Sequence, residues 1–151
     1  TVQIWIVRHG QTQENVARTI AGHNSSGLTP LGKQQADLVA QRLKGMSFQS
    51  VYISDLTRSK QTADPILRLL PKDTKAFADK RLREKGAGSY VGFKLGYSEH
   101  MAQLHGQHFR QFRPPGAGGE SWDDVARRGR AWLKEVVDKF CMPKPRTHPP
   151  P

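Results

Sequence analysis

The opening stretch of the chain restricts its fold more than any other. Val2, Ile4, Trp5, Ile6 and Val7 form a nearly unbroken apolar run of strand formers that stops at Arg8-His9-Gly10. Such a run suits a strand buried on both faces of a parallel sheet, which in turn requires helices between its strands. The sequence supplies them. Thr29 can cap a helix that opens on Pro30, along which Ala36, Val39, Ala40 and Leu43 recur at helical spacing until Gly45. Val51, Tyr52 and Ile53 predict a second strand. Ser54 or Asp55 is expected to cap the helix after it, which carries Leu56, Ala63, Ile66, Leu67 and Leu70 on one side, kinks at Pro65 and ends at Pro71. Residues 75–78 predict a third strand, and Gly86, Gly88, Gly92 and Gly96 mark a mobile loop before a short helix around residues 100–108. After the turn at 114–119, Ser121 and Asp124 read as a capping box. The helix it starts places Trp122, Val125, Ala126, Leu133, Val136, Val137 and Phe140 on one face. This alternation predicts an α/β fold with three α/β/α layers around a mainly parallel sheet.

A chain of 151 residues with 36% apolar and 25% charged residues is expected to form one globular domain. We place it at residues 1–142, with 143–151 an unstructured proline-rich tail. No apolar run approaches the roughly 20 residues a bilayer requires, so no membrane role is expected. The single cysteine, Cys141, allows neither an internal disulfide nor a cysteine-ligated zinc site, and fits a reducing, cytoplasmic location. Lys and Arg number 24 against 13 Asp and Glu, a formal charge of +11 that asks for an anionic partner. The basic residues are dispersed, with no five like charges in succession, which points to a phosphorylated small molecule rather than a membrane surface or nucleic acid. A nucleic-acid module has one motive in His108-Phe109-Arg110-Gln111-Phe112-Arg113, where aromatic and basic residues alternate. Solvated charge and core aromatics explain the same pattern.

In open α/β sheets ligands sit beyond the carboxyl ends of the strands. Two predicted strands end in reactive residues: Val7 runs into Arg8-His9-Gly10-Gln11-Thr12, and Ile53 into Ser54-Asp55-Leu56-Thr57-Arg58. If these strands lie side by side, Arg8, His9 and Arg58 share one pocket, where two guanidinium forks match phosphoryl oxygens and an imidazole can attack phosphorus. Taken singly, each has a plainer reading as a solvated loop or helix residue.

Their joint occurrence changes this. Arg8-His9-Gly10-x-Thr12-x-x-Asn15 resembles the signature of the histidine phosphatase superfamily, the phosphoglycerate mutase-like family. Further segments match in order: Leu28-Thr29 with Gly32, Gln35 and Ala36; Ser54-Asp55-Leu56 with Arg58, Gln61 and Thr62; Leu82-Arg83-Glu84 with Gly88 and Gly92; and the turn from Pro114-Pro115-Gly116 to Glu120-Ser121. Val91 stands where the family commonly carries a second glutamate, and the turn has two extra residues. Within the family, Leu82-Arg83-Glu84, Met101, Phe112 and Pro114-Pro115 look most like TIGAR-type fructose-2,6-bisphosphatases.

The resemblance implies a phosphoglycerate mutase-like fold and phosphoryl transfer through a phosphohistidine, without metal or organic cofactor. His9 would be the nucleophile, Arg8 and Arg58 would hold the phosphoryl oxygens, and Asn15 and backbone amides near Gly10 would add hydrogen bonds. Glu84 would be the general acid and then the base, a role that asks for a partly buried carboxyl; its plainer reading is a salt bridge with Arg81 or Arg83. Ala21 and Gly22 fall in the family's substrate loop, where an exposed amide could approach a second phosphate, while His23 beside them is expected to face solvent.

The family also carries a second histidine after a late strand. His100, His105 and His108 lie in the wrong segment, and His148 lies in the proline tail, so the chain reads as a catalytic domain lacking its C-terminal strands. In the family that strand lies beside the first one. Its absence would uncover backbone groups and apolar surface, and loss of one phosphoryl-oxygen donor would cost about a hundred- to a thousandfold in turnover. A phosphate-binding variant without turnover is the alternative.

Overall fold

The computed structural model describes residues 2–24 and 26–141; the proline-rich segment and His148 lie outside the described residues. Among the described residues are five α-helices and a two-stranded parallel sheet. In it β1 (Val51–Ile53) pairs with β2 (Ala76–Ala78), with Val51 opposite Ala76 and Ile53 opposite Ala78. The helix α3 (Thr57–Leu69) connects the two, as parallel pairing requires.

The opening run departs from expectation. Residues 2–7 form no strand, and among the described residues 2–9 make no backbone hydrogen bond to the rest of the chain. Ile6 is 92% exposed, and Trp5 touches Phe48 edge-on at 6.3 Å. Strand formers produce a strand only where a neighbour supplies the ladder, and neither β1 nor β2 pairs with this segment.

The main core lies between α2 (Pro30–Leu43) and α3. Thr29 caps α2 through Gly32 N, Pro30 occupies the first turn, and Gly45 takes φ +76 just beyond the end, as the pattern predicted. Ala40 and Leu43 pack against Ile66 and Leu70, with Val39, Phe48, Val51 and Leu67 around them. Each fully buried leucine or isoleucine contributes roughly 1.5–3 kcal/mol. Leu56, not Ser54 or Asp55, is the N-cap of α3 and makes no side-chain cap. Asp55 is held instead by both arms of Arg83, while the Ser54 hydroxyl accepts from Leu56 N.

A second core forms where α4 (Tyr97–Leu104), three residues earlier than predicted, brings Ala102 against Tyr90 and Phe112. Short α1 (Gln13–Ala17) begins with a capping box between Thr12 and Asn15. The last helix, α5 (Trp122–Cys141), starts at the predicted Ser121–Asp124 box. It meets the 3₁₀ turn Lys80–Leu82 through Arg81 and Glu135, 2.7 Å apart, and rests Trp132 on Tyr52. Of its predicted apolar face only Val136 is buried. No described helix is long and apolar enough to cross a membrane.

Gly32 shows how tightly the start of α2 is built: a Cβ there would collide with the carbonyl oxygen of Gln11. Gly32→Ala is therefore expected to destabilise the chain by about 1–3 kcal/mol, read as a lowered midpoint in thermal or urea denaturation.

Candidate active site

The loop after the opening run is fixed by the two core helices. Gly10 N donates to the Thr62 hydroxyl at 3.0 Å, and that hydroxyl donates to Arg58 O at 2.8 Å. A side chain at Gly10 would meet the backbone of Gly32, so the loop lies directly on α2. Gln11 N donates to the Gln35 side chain at 2.9 Å, and Thr29 N to Gln11 O at 2.9 Å. The motif residues Thr29, Gly32, Gln35 and Thr62 thus act as a frame for residues 8–12. Gly10, expected to offer its amide to a ligand, has that amide engaged by Thr62. Asn15 spends its side-chain oxygen on Thr12 N at 3.0 Å.

This frame sets the ring of His9. Its Nδ1 lies 2.8 Å from the Gly10 carbonyl, which can only accept, so the neutral ring keeps its proton on Nδ1 and its lone pair on Nε2. Desolvation by burial lowers the His9 pKa below 6.5; the charges of Arg58 and Arg8 act in the same direction, against the Gly10 hydrogen bond and the Glu84 carboxylate. The ring is therefore neutral at pH 7. Arg8, His9, Gly10, Gln35, Ala36, Val39 and Thr62 line an open cleft of about 200 Å³.

Arg58 comes from the first turn of α3 and is only 1% exposed. Its fork donates to Gly22 O at 2.9 Å and Asn24 O at 3.1 Å, tying the 21–24 turn to the site. Glu84 and Glu14 place negative charge near it. Gly22 is buried rather than exposed: Arg58 draws in its carbonyl, and at φ +50 a side chain there would press on Ala87. Ala21 is half-buried beside it, its carbonyl accepting from Asn24 N.

Glu84 forms no salt bridge with Arg81 or Arg83. Arg81 pairs with Asp79 and Glu135, and Arg83 with Asp55. The Glu84 side chain is exposed, not partly buried as expected, because it folds back to accept from Lys85 N at 2.8 Å. Its charge nonetheless acts on both His9 and Arg58.

His23 is not the solvent-facing residue its loop suggested. Its Nε2 lies 2.7 Å from Glu84 O, and its side chain is 29% exposed. Glu120 and Arg128, which sequence reasoning left without a role, reach the same segment; Glu120 stood inside the recognised turn, whereas Arg128 gave no local signal. His100, His105 and His108 are exposed and do not line the cleft. Among the described residues no three His, Cys, Asp or Glu side chains come together in a way that could hold a metal ion.

The Arg-His-Gly loop is framed by α2 and α3 on an α/β scaffold, and the Thr62 hydroxyl links its Gly10 amide to the backbone of buried Arg58. The profile described as Histidine phosphatase superfamily (branch 1) matches residues 4–141, and the chain belongs to that family. It is 35% identical over 143 residues to fructose-2,6-bisphosphatase TIGAR B of Danio rerio, covering 93% of this chain and 55% of the relative. It is 31% identical over 140 residues to a broad-specificity phosphatase of Saccharomyces cerevisiae, covering 90% of this chain and 58% of that one. Among solved structures, YhfR of Bacillus stearothermophilus superposes with a TM-score of 0.70 at 29% identity, over 88% of this chain and 66% of that one. The chain thus spans about half the length of the curated relatives it matches.

Proposed function

We propose that this chain carries the nucleophile of a phosphoric monoester hydrolase working through a phosphohistidine on His9, with fructose 2,6-bisphosphate as substrate. One observation carries the reading: an imidazole with Nδ1 tied back and Nε2 bare, held neutral by burial and by two guanidiniums. In the first step Nε2 attacks phosphorus as the ester P–O bond breaks. Arg8 and Arg58 neutralise the growing charge on the phosphoryl oxygens, the side-chain nitrogen of Asn15 contributes a hydrogen bond, and Glu84 protonates the departing alkoxide. Glu84 then takes a proton from water. The resulting hydroxide breaks the N–P bond and releases phosphate. A second phosphate of the substrate would meet the Ala21-Gly22 turn, which Arg58 holds.

The partner is accordingly a phosphorylated small molecule, and neither a membrane nor a nucleic acid. Against nucleic acid, Phe112 is buried, and Arg110 and Arg113 already face Asp123 and Asp124. The free thiol of Cys141 fits a cytoplasmic setting, and the proposed substrate goes with a role in the control of glycolysis. The test is incubation with fructose 2,6-bisphosphate labelled in its 2-phosphate, followed by peptide mapping. Acid-labile label on His9 is expected; binding without label would favour the non-catalytic alternative, and neither would overturn the reading.

The lowered pKa of His9 adds a pH dependence. A ring whose pKa is lowered below 6.5 protonates at more acid pH than an ordinary histidine, so the rate of labelling should fall with acid through a midpoint below pH 6.5. A pH profile of single-turnover labelling checks this, and a midpoint above 6.5 contradicts it.

A further inference from the structure

The Glu84 carboxylate has no side-chain ion-pair partner of its own among the described residues, yet its backbone is anchored on both sides. Arg128, on α5, donates from one arm to Arg81 O at 2.6 Å and from the other to Glu84 O at 3.0 Å. The same guanidinium pairs with Glu120 through Nε at 2.8 Å and Nη2 at 2.9 Å. Glu120 in turn accepts from Gly86 N at 2.8 Å and donates its own amide to Gly86 O at 2.8 Å. His23 completes the set by placing Nε2 2.7 Å from Glu84 O. Two donors therefore converge on one carbonyl oxygen, which has two lone pairs to offer, and fix the peptide plane that follows Glu84. Burial works against a charge on Glu120, but Arg128, the Gly86 amide and His23 outweigh it and keep that carboxyl ionised.

We propose that the Glu120–Arg128 pair, with His23, is a positioning device that holds the Glu84 backbone so that its carboxyl reaches the ester oxygen leaving phosphorus as His9 attacks. This rests on the phosphohistidine reading and deepens it. None of the three side chains need touch the reacting atoms. Their effect passes through the Glu84 backbone, and the loop that carries His23 is the one Arg58 holds, so both walls of the site meet at the Glu84 carbonyl. A general acid matters in proportion to the basicity of the group it protonates. An alkoxide needs its proton at departure, whereas a nitrophenolate leaves without one.

The experiment compares labelling of His9, as acid-labile phosphate in a single turnover, from glycerol phosphate and from p-nitrophenyl phosphate. Arg128→Met and Glu120→Gln should slow labelling from the alkyl ester by about 10- to 100-fold, the cost of a general acid displaced by about 1 Å, and from the aryl ester by less than about threefold. Glu84→Gln should show the same selectivity more strongly, and Arg127→Met, one residue along and exposed, none. Equal losses with both esters, or no loss with either, would overturn the proposal, because a merely structural role does not distinguish leaving groups. If Arg128→Met fails to fold, Glu120→Gln, which keeps an acceptor for Gly86 N, decides the matter by the same criterion. Failure to label the unmutated chain from either ester would overturn the phosphatase reading and this one with it. Label from the unmutated chain with no selectivity in Glu84→Gln would remove the acid role of Glu84 and hence this proposal, leaving the phosphohistidine standing.

Discussion

His9→Ala is expected to erase acid-labile phosphate on the chain and to lower any phosphate release by on the order of 10⁴- to 10⁶-fold, as removal of a nucleophile does in enzymes that work through covalent intermediates. The fold should survive. The ring is only partly buried, its hydrogen bond is to the neighbouring Gly10 carbonyl, and the loop around it is held by Thr62, Gln35 and Thr29 rather than by His9. An unchanged thermal midpoint with no phosphohistidine is the expected pair of results. Label that persists in the variant would place the nucleophile elsewhere and remove the basis of the functional reading.

Arg58→Met should behave differently, losing stability and ligand binding together. The side chain is 1% exposed, and it satisfies the carbonyl of buried Gly22 as well as that of Asn24. Methionine fills much of the volume and supplies no donor. An unmet buried carbonyl costs about 1–3 kcal/mol, and the 21–24 turn loses its attachment to α3. The midpoint of thermal unfolding should fall accordingly, and labelling of His9 should drop by about 10²- to 10³-fold, the usual loss when a preorganised donor to a transferring group is removed. A variant as stable as the unmutated chain would show that Arg58 is not the clamp described here.

Much of this site was legible because its cues are local. Thr29-Pro30 and the Ser121–Asp124 pair state helix starts within four residues, and both helices begin there. Arg8, His9 and Arg58 are expected together if two strands lie side by side; the first strand does not form, and it is Thr62, bonded to Gly10 N and Arg58 O, that joins the Arg8-His9-Gly10 loop to α3. What local pattern could not convey was long-range pairing. Residues 2–7 have every intrinsic preference of a strand, but a ladder needs a neighbour. Asp55 looked like a cap until Arg83, 28 residues away in sequence, engaged its carboxylate. His23, Glu120 and Arg128 lie in three separate segments and meet only through the backbone of residues 84–86. Gly10 and Gly22, read as ligand-facing, proved to be places where two stretches of chain lie too close for a side chain at Gly10 and where Arg58 takes the carbonyl at Gly22.

The uncovered apolar run at residues 2–7 has a consequence for handling the molecule. Backbone amides and carbonyls beside Ile4, Trp5 and Ile6 form an adhesive edge, ready to template a ladder with another molecule in concentrated solution. What opposes this is mutual repulsion between copies bearing +11 each. That protection is electrostatic, so it shrinks with the Debye length as salt is added. Added salt is therefore expected to draw copies of this chain together.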